Sequence, residues 1–94
     1  MSELNKLQKD FFNTLNQIQE EAVSIAFGNY KEGDDIEDLL YDVTYNTIYS
    51  IMELIDGYVK DSLELDIIDR KNKESLRTGI ELHDTCASFV KYEK

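Results

Sequence analysis

Proline is absent from these 94 residues, cysteine occurs once, and acidic side chains outnumber basic ones by 20 to 10. Each shortage excludes something. The lone Cys86 cannot close an internal disulfide, so no covalent staple supports the fold, and a reducing, cytoplasmic setting is expected. No apolar run approaches the ~20 residues that span a bilayer, so no membrane partner is expected. Polar residues interrupt the N-terminal "MSELNKLQKDFFN", which does not read as a signal peptide. A hydrophobic content of 41% without proline argues against a disordered tail. The length suits a single domain, residues 1–94, with one core.

Basic residues are scarcest in the middle of the chain. Residues 32–69 carry twelve acids against Lys60 alone, whereas residues 70–94 carry six bases and four acids. Binding DNA or RNA rests on Lys and Arg neutralising phosphates, so direct nucleic-acid binding is not expected. The group Arg70, Lys71, Lys73 and Arg77 is too small beside the acidic middle to change that; it reads as a solvated helix start or a dock for another copy's acids. A protein partner with a basic surface would be attracted and steered in. The same acidity also serves plain solubility.

What is present is helical periodicity. Leu4, Leu7, Phe11, Leu15, Ile18, Ala22 and Ile25 fall within about 80° of one another at 3.6 residues per turn. Lys6, Asp10, Asn13, Gln17 and Glu20 occupy the opposite side, giving an amphipathic helix from Ser2 to about Phe27. Gly28 and Asn29 suit its end, and "GNYKEGDD" reads as a turn. Asp34 or Asp35 can cap a second helix, with Glu37 and Asp38 in its first turn and the apolar pattern running to Val59. A third helix is expected from Asn72 to about Tyr92. Residues 61–71 read as helix, loop or an intermolecular strand; a helical turn capped by Asp61 or Ser62 fits best, because a lone strand has no partner in this chain. The expected fold is all-α: a small three- to four-helix bundle, a long helical hairpin plus a C-terminal helix.

Four of the six tyrosines lie between residues 39 and 58. Along the second helix, Ile36, Leu39, Leu40, Val43, Thr47, Ile51, Leu54 and Tyr58 cluster on one side. Tyr41, Tyr45 and Tyr49 fall about 140–220° away, among Asp38, Asp42, Glu53 and Asp56. This second face is either a half-buried shoulder under the C-terminal helix or a binding surface, since tyrosine supplies large contact area at low entropic cost. The acids among the rings favour the surface, because a buried contact would avoid them.

Motifs for catalysis are few. His83 and Cys86, at i and i+3, share one helix side but lack two further metal ligands, and on a continuous helix Asp84 and Glu81 point elsewhere. They read as a core histidine and a small buried thiol. "KEGDDIEDLLYD" lacks the oxygen spacing and glycine of an EF-hand loop. "EEAVSIA" (20–26) followed by "DIEDLLYDV" (35–43) resembles the all-α MazG-like nucleotide pyrophosphohydrolases. That resemblance implies magnesium held by Glu20, Glu21, Asp35 and Asp38, although Ser24 stands where the pattern has a third glutamate and Asp35 replaces another.

The leading expectation is a non-catalytic acidic binding module, needing no cofactor. Asp34, Asp35, Glu37, Asp38, Asp42, Glu53 and Asp56 would steer a basic partner, and Tyr41, Tyr45 and Tyr49 would grip it. Immunity proteins, antitoxins and phage-encoded blockers are the analogous class. A metal-dependent nucleotide hydrolase and a homodimeric structural protein are the alternatives.

Overall fold

The computed structural model describes residues 3–60 and 63–92. Two long helices, α1 (Lys6–Asn29) and α2 (Ile36–Ile55), form a hairpin, and a short α3 (Leu82–Cys86) follows a long irregular stretch. Among the described residues there is no strand, only a single antiparallel bridge between Ile68 and Ser75. Helix α2 is the central element: it packs on α1 along one side and on α3 along another.

Local chemistry sets the helix ends. Asn5 caps α1 by accepting the Gln8 amide hydrogen at 2.7 Å, while the Gln8 side chain accepts from the Asn5 amide at 2.9 Å. This reciprocal box satisfies two of the orphan donors at a helix start. The expected start at Ser2 lies outside the described residues. Asp35 caps α2, its Oδ1 accepting the Glu37 amide hydrogen at 2.9 Å. Asp34, the other candidate, instead closes the preceding turn by accepting from the Lys31 amide at 2.8 Å. Helix α2 stops at Ile55, four residues before Val59, with Gly57 at φ 93° just beyond it.

The α1–α2 contact follows the row Thr14, Ile18, Ala22 and Ala26, all buried on α1. Successive residues at i+4 drift around the helix, so the seam runs obliquely and leaves Leu7 and Ile25 exposed. Ile18, Leu54 and Leu63 form the buried centre, with Phe11, Leu15, Ile51 and Leu65 packed against it. Leu54 has no exposed surface; burying such a side chain stabilises by roughly 1.5–3 kcal/mol. The core is small for the chain. The exposed surface is 7392 Å², against about 5,600 Å² for a folded monomer of this mass. The radius of gyration is 15.5 Å, against about 12 Å for a compact domain of this length.

The C-terminal third corrects the expected helix from Asn72 to Tyr92. Only Leu82–Cys86 is α-helical there. Short polar side chains take the backbone groups that a helix needs. Asp69 Oδ1 accepts the Lys71 amide hydrogen, Asn72 Oδ1 accepts that of Glu74, and both Asp66 oxygens accept from the Ser75 hydroxyl. Lys73 at φ 67° and Gly79 at φ 73° then place left-handed residues inside the expected helix. The helical turn expected over 61–71 is also replaced. Its described part runs without helix, with Leu63 buried and Ile68 bridged to Ser75. The extended segment thus finds a partner within its own chain, while the proposed caps Asp61 and Ser62 lie outside the described residues.

Candidate functional site

At the turn end of the hairpin, the connecting turn and the start of α2 bring four aspartates to one place. Asp34, Asp35, Asp38 and Asp42 line a cleft of about 350 Å³ together with Asn29, Tyr30 and Tyr92. Asp42 Oδ1 accepts a hydrogen bond from Asn46 Nδ2 one turn on, at 3.2 Å. Glu37 is exposed at the start of α2 and Glu53 half-buried near its end; neither lines the cleft. Among the described residues no basic side chain stands on its walls.

The tyrosine face is covered in large part by the chain's own C-terminal segment. Tyr45 stacks on Tyr49 with ring centres 5.9 Å apart, and Tyr92 meets Tyr45 edge-on at 5.6 Å. The His83 ring stands edge-on to Tyr49 at 5.6 Å and to Tyr58 at 5.1 Å. Tyr45 and Tyr49 are half-buried, whereas Tyr41 and Tyr92 are exposed. Burial raises the Tyr49 hydroxyl above its ordinary pKa, and the Glu53 and Asp84 charges add to the rise.

Below the tyrosines, Asp56 holds the C-terminal segment to α2. Its side chain is fully buried. Oδ1 accepts the Leu82 amide hydrogen at 3.0 Å, and Oδ2 accepts that of His83 at 2.9 Å. One carboxylate thereby caps the first turn of α3 from a different helix, which explains why α3 begins at Leu82. His83 Nδ1 donates to Oδ2 at 2.6 Å, and Arg77 Nε lies 3.4 Å from Oδ1. Burial alone would raise the Asp56 pKa, but the His83 amide, the His83 ring and the Leu82 amide outweigh it and lower the value. Conversely, the hydrogen bond to Asp56 raises His83, against the opposing effect of burial and with help from the Asp84 charge. Asp56 therefore serves the fold, and its carboxylate is not presented to a partner as its place in the sequence suggested.

His83 Nε2 faces the other way, 3.4 Å from Asp84 Oδ1 and 3.6 Å from Glu81 Oε2. The Tyr58 hydroxyl donates to Glu81 Oε1 at 2.7 Å. Among the described residues, one group of three metal-capable side chains has its ligand atoms within 4.8 Å of one another: Asp56, Glu81 and His83. The set Glu20, Glu21, Asp35 and Asp38 does not gather in this way. Glu20 lines a separate groove on α1 with Val23 and Phe27, away from the aspartate cleft.

A continuous helix over 72–92 would turn Glu81 and His83 to different sides. Glu81 is the extended N-cap of α3 (φ −103°, ψ 131°), so helical spacing does not set its side-chain direction relative to His83. Gly79 was the available signal. Cys86 turns its thiol to the His83 carbonyl oxygen at 3.4 Å, away from the ring, and burial raises its pKa, so it is a poor nucleophile. No protein-family model matches this chain, and no curated protein and no solved structure matches it.

Proposed function

We propose that this protein is a non-catalytic acidic binding module that occupies a basic surface on a larger, nucleic-acid-handling protein and inhibits or regulates it, in the manner of an immunity protein, antitoxin or phage-encoded blocker. The observation that carries this reading is the pairing of the aspartate cleft with unsatisfied apolar surface. The total exposed surface exceeds that of a compact monomer of this mass by about 1,800 Å², and large apolar side chains are part of it. Phe27, near the cleft end of α1, is 77% exposed, and Phe89, beyond α3, is 80% exposed. Aspartates that accelerate encounter, with Tyr30 and Tyr92 lining the same cleft, combine steering with aromatic contact. Tyr41 and Tyr92 are the ring contacts on offer, with Tyr45 and Tyr49 behind them as support.

The test is capture from the native cell with two baits, the wild type and the triple variant Asp34→Asn, Asp38→Asn, Asp42→Asn. A basic protein held by the wild type should associate at least ~10-fold more slowly with the triple variant at low salt, and added salt should slow the wild type towards it. Association indifferent to both changes would refute the reading. Sedimentation at several concentrations separates the homodimer, whose mass would rise with loading.

A further inference from the structure

The chain has a single histidine, and the fold surrounds it with carboxylates in an ordered way. Asp56 is buried and ionised, with both oxygens accepting hydrogen bonds, so the His83 Nδ1 atom must carry the hydrogen between them. In the neutral ring, the lone pair is then on Nε2, on the side where Asp84 and Glu81 stand. The geometry points to a binding site for a divalent transition-metal ion of the zinc class, held by His83 Nε2, Glu81 and Asp84, with Asp56 fixing the ring from behind.

Two of the three donor separations agree with that chemistry. Donors 2.0–2.1 Å from a tetrahedral zinc ion lie about 3.3–3.4 Å from one another. The His83 Nε2 separations of 3.4 Å to Asp84 and 3.6 Å to Glu81 already match, whereas the Glu81 and Asp84 oxygens stand more than 4.8 Å apart and must swing together to close the set. Both carboxylates can adjust, being 73% and 45% exposed, so an ion enters without opening the core. The supporting groups are those a histidine–metal site uses. A ligating histidine ordinarily donates its other ring N–H to a carboxylate, which fixes tautomer and orientation. Here Asp56 fills that role. The Tyr58 hydroxyl holds Glu81 Oε1 and leaves Oε2 turned to the ring.

Charge favours a dication. Asp56, Glu81 and Asp84 against Arg77 leave two negative charges around a neutral imidazole. A nitrogen donor with two carboxylates suits zinc better than magnesium or calcium, which prefer six or more oxygens. The ion would take up the Nε2 lone pair, and solvent would complete its coordination. Its structural effect would be to stiffen the five-residue α3 and clasp the C-terminal segment over Tyr45 and Tyr49. This inference is independent of the binding reading.

The experiment is calorimetric titration of zinc into tag-free, chelator-treated protein, with cobalt absorption as a report on coordination. One ion per chain is expected. His83→Gln should abolish it, and the double variant Glu81→Gln, Asp84→Asn should weaken it by ~10-fold or more, while Cys86→Ser leaves it unchanged. The double variant leaves the Asp56–His83 contact in place, so it decides the matter even where His83→Gln misfolds. No zinc binding at micromolar concentration, or binding equally tight in the double variant, would overturn the proposal. So would magnesium binding as tightly as zinc.

Discussion

Asp38 and Asp56 are eighteen residues apart, which is five whole turns, so they leave α2 in the same direction. Their surroundings differ completely. Asp38 lines the cleft at the turn end, in the company of Asp34, Asp35 and Asp42. Asp56 is enclosed beneath α3, where two amides, an imidazole and a guanidinium meet its oxygens. One end of the helix gathers four carboxylates along an open cleft; the other neutralises a single charge and uses it as a fastener. Azimuth on a helix therefore decides which face a side chain joins, and the partner element decides what the side chain does there.

The largest effect should come from Asp56→Ala. Removing one member of a buried, hydrogen-bonded charge cluster costs about 3–5 kcal/mol. The loss should be concentrated in the C-terminal segment, since α3 loses its cap and Arg77 and His83 lose their counter-charge. Denaturant unfolding measures the total, and hydrogen exchange of Leu82 to Val90 should rise well before that of Ile18 or Leu54. A variant within about 1 kcal/mol of wild type would mean that Asp56 is as dispensable as an exposed acid.

That contrast also explains what could be read from the residues alone. Helices α1 and α2 were legible because their apolar spacing is unbroken for five turns or more and their ends carry local signals, Asn29 and Asp35. The tyrosine face was placed opposite the seam for the same reason. The cover over it was not legible. Asp56 looks like any other surface acid until Leu82 and His83 arrive, and those lie twenty-six and twenty-seven residues away. The C-terminal third has apolar residues at helical spacing, yet Asp66, Asp69 and Asn72 hold the backbone in turns. Such competition is decided by side-chain hydrogen bonds worth about 1 kcal/mol each, which periodicity does not register.

A smaller effect separates the two roles within the cleft itself. Asp35 is both a cleft residue and the N-cap of α2. Asp35→Ala should cost about 1 kcal/mol through the lost bond to the Glu37 amide, whereas Asp35→Asn should retain most of that stability while still removing a charge. Urea titration of the pair distinguishes capping from electrostatics. Equal stability of the two variants would show that the cap contributes nothing beyond charge.

The smallest stability change belongs to Asp42→Asn. Asp42 accepts one hydrogen bond, from Asn46, and the carbonyl of an asparagine accepts it equally well. Stability should stay within ±0.5 kcal/mol of wild type, because nothing buried is left unpaired and like-charge repulsion within the cleft is relieved. Association with a basic partner should nevertheless slow, and its dependence on salt should flatten, since steering responds to the summed field of the cleft. A change that is silent in urea and visible in association kinetics is the signature of a charge facing a partner. Asp56, on the same side of the same helix, should give the reverse.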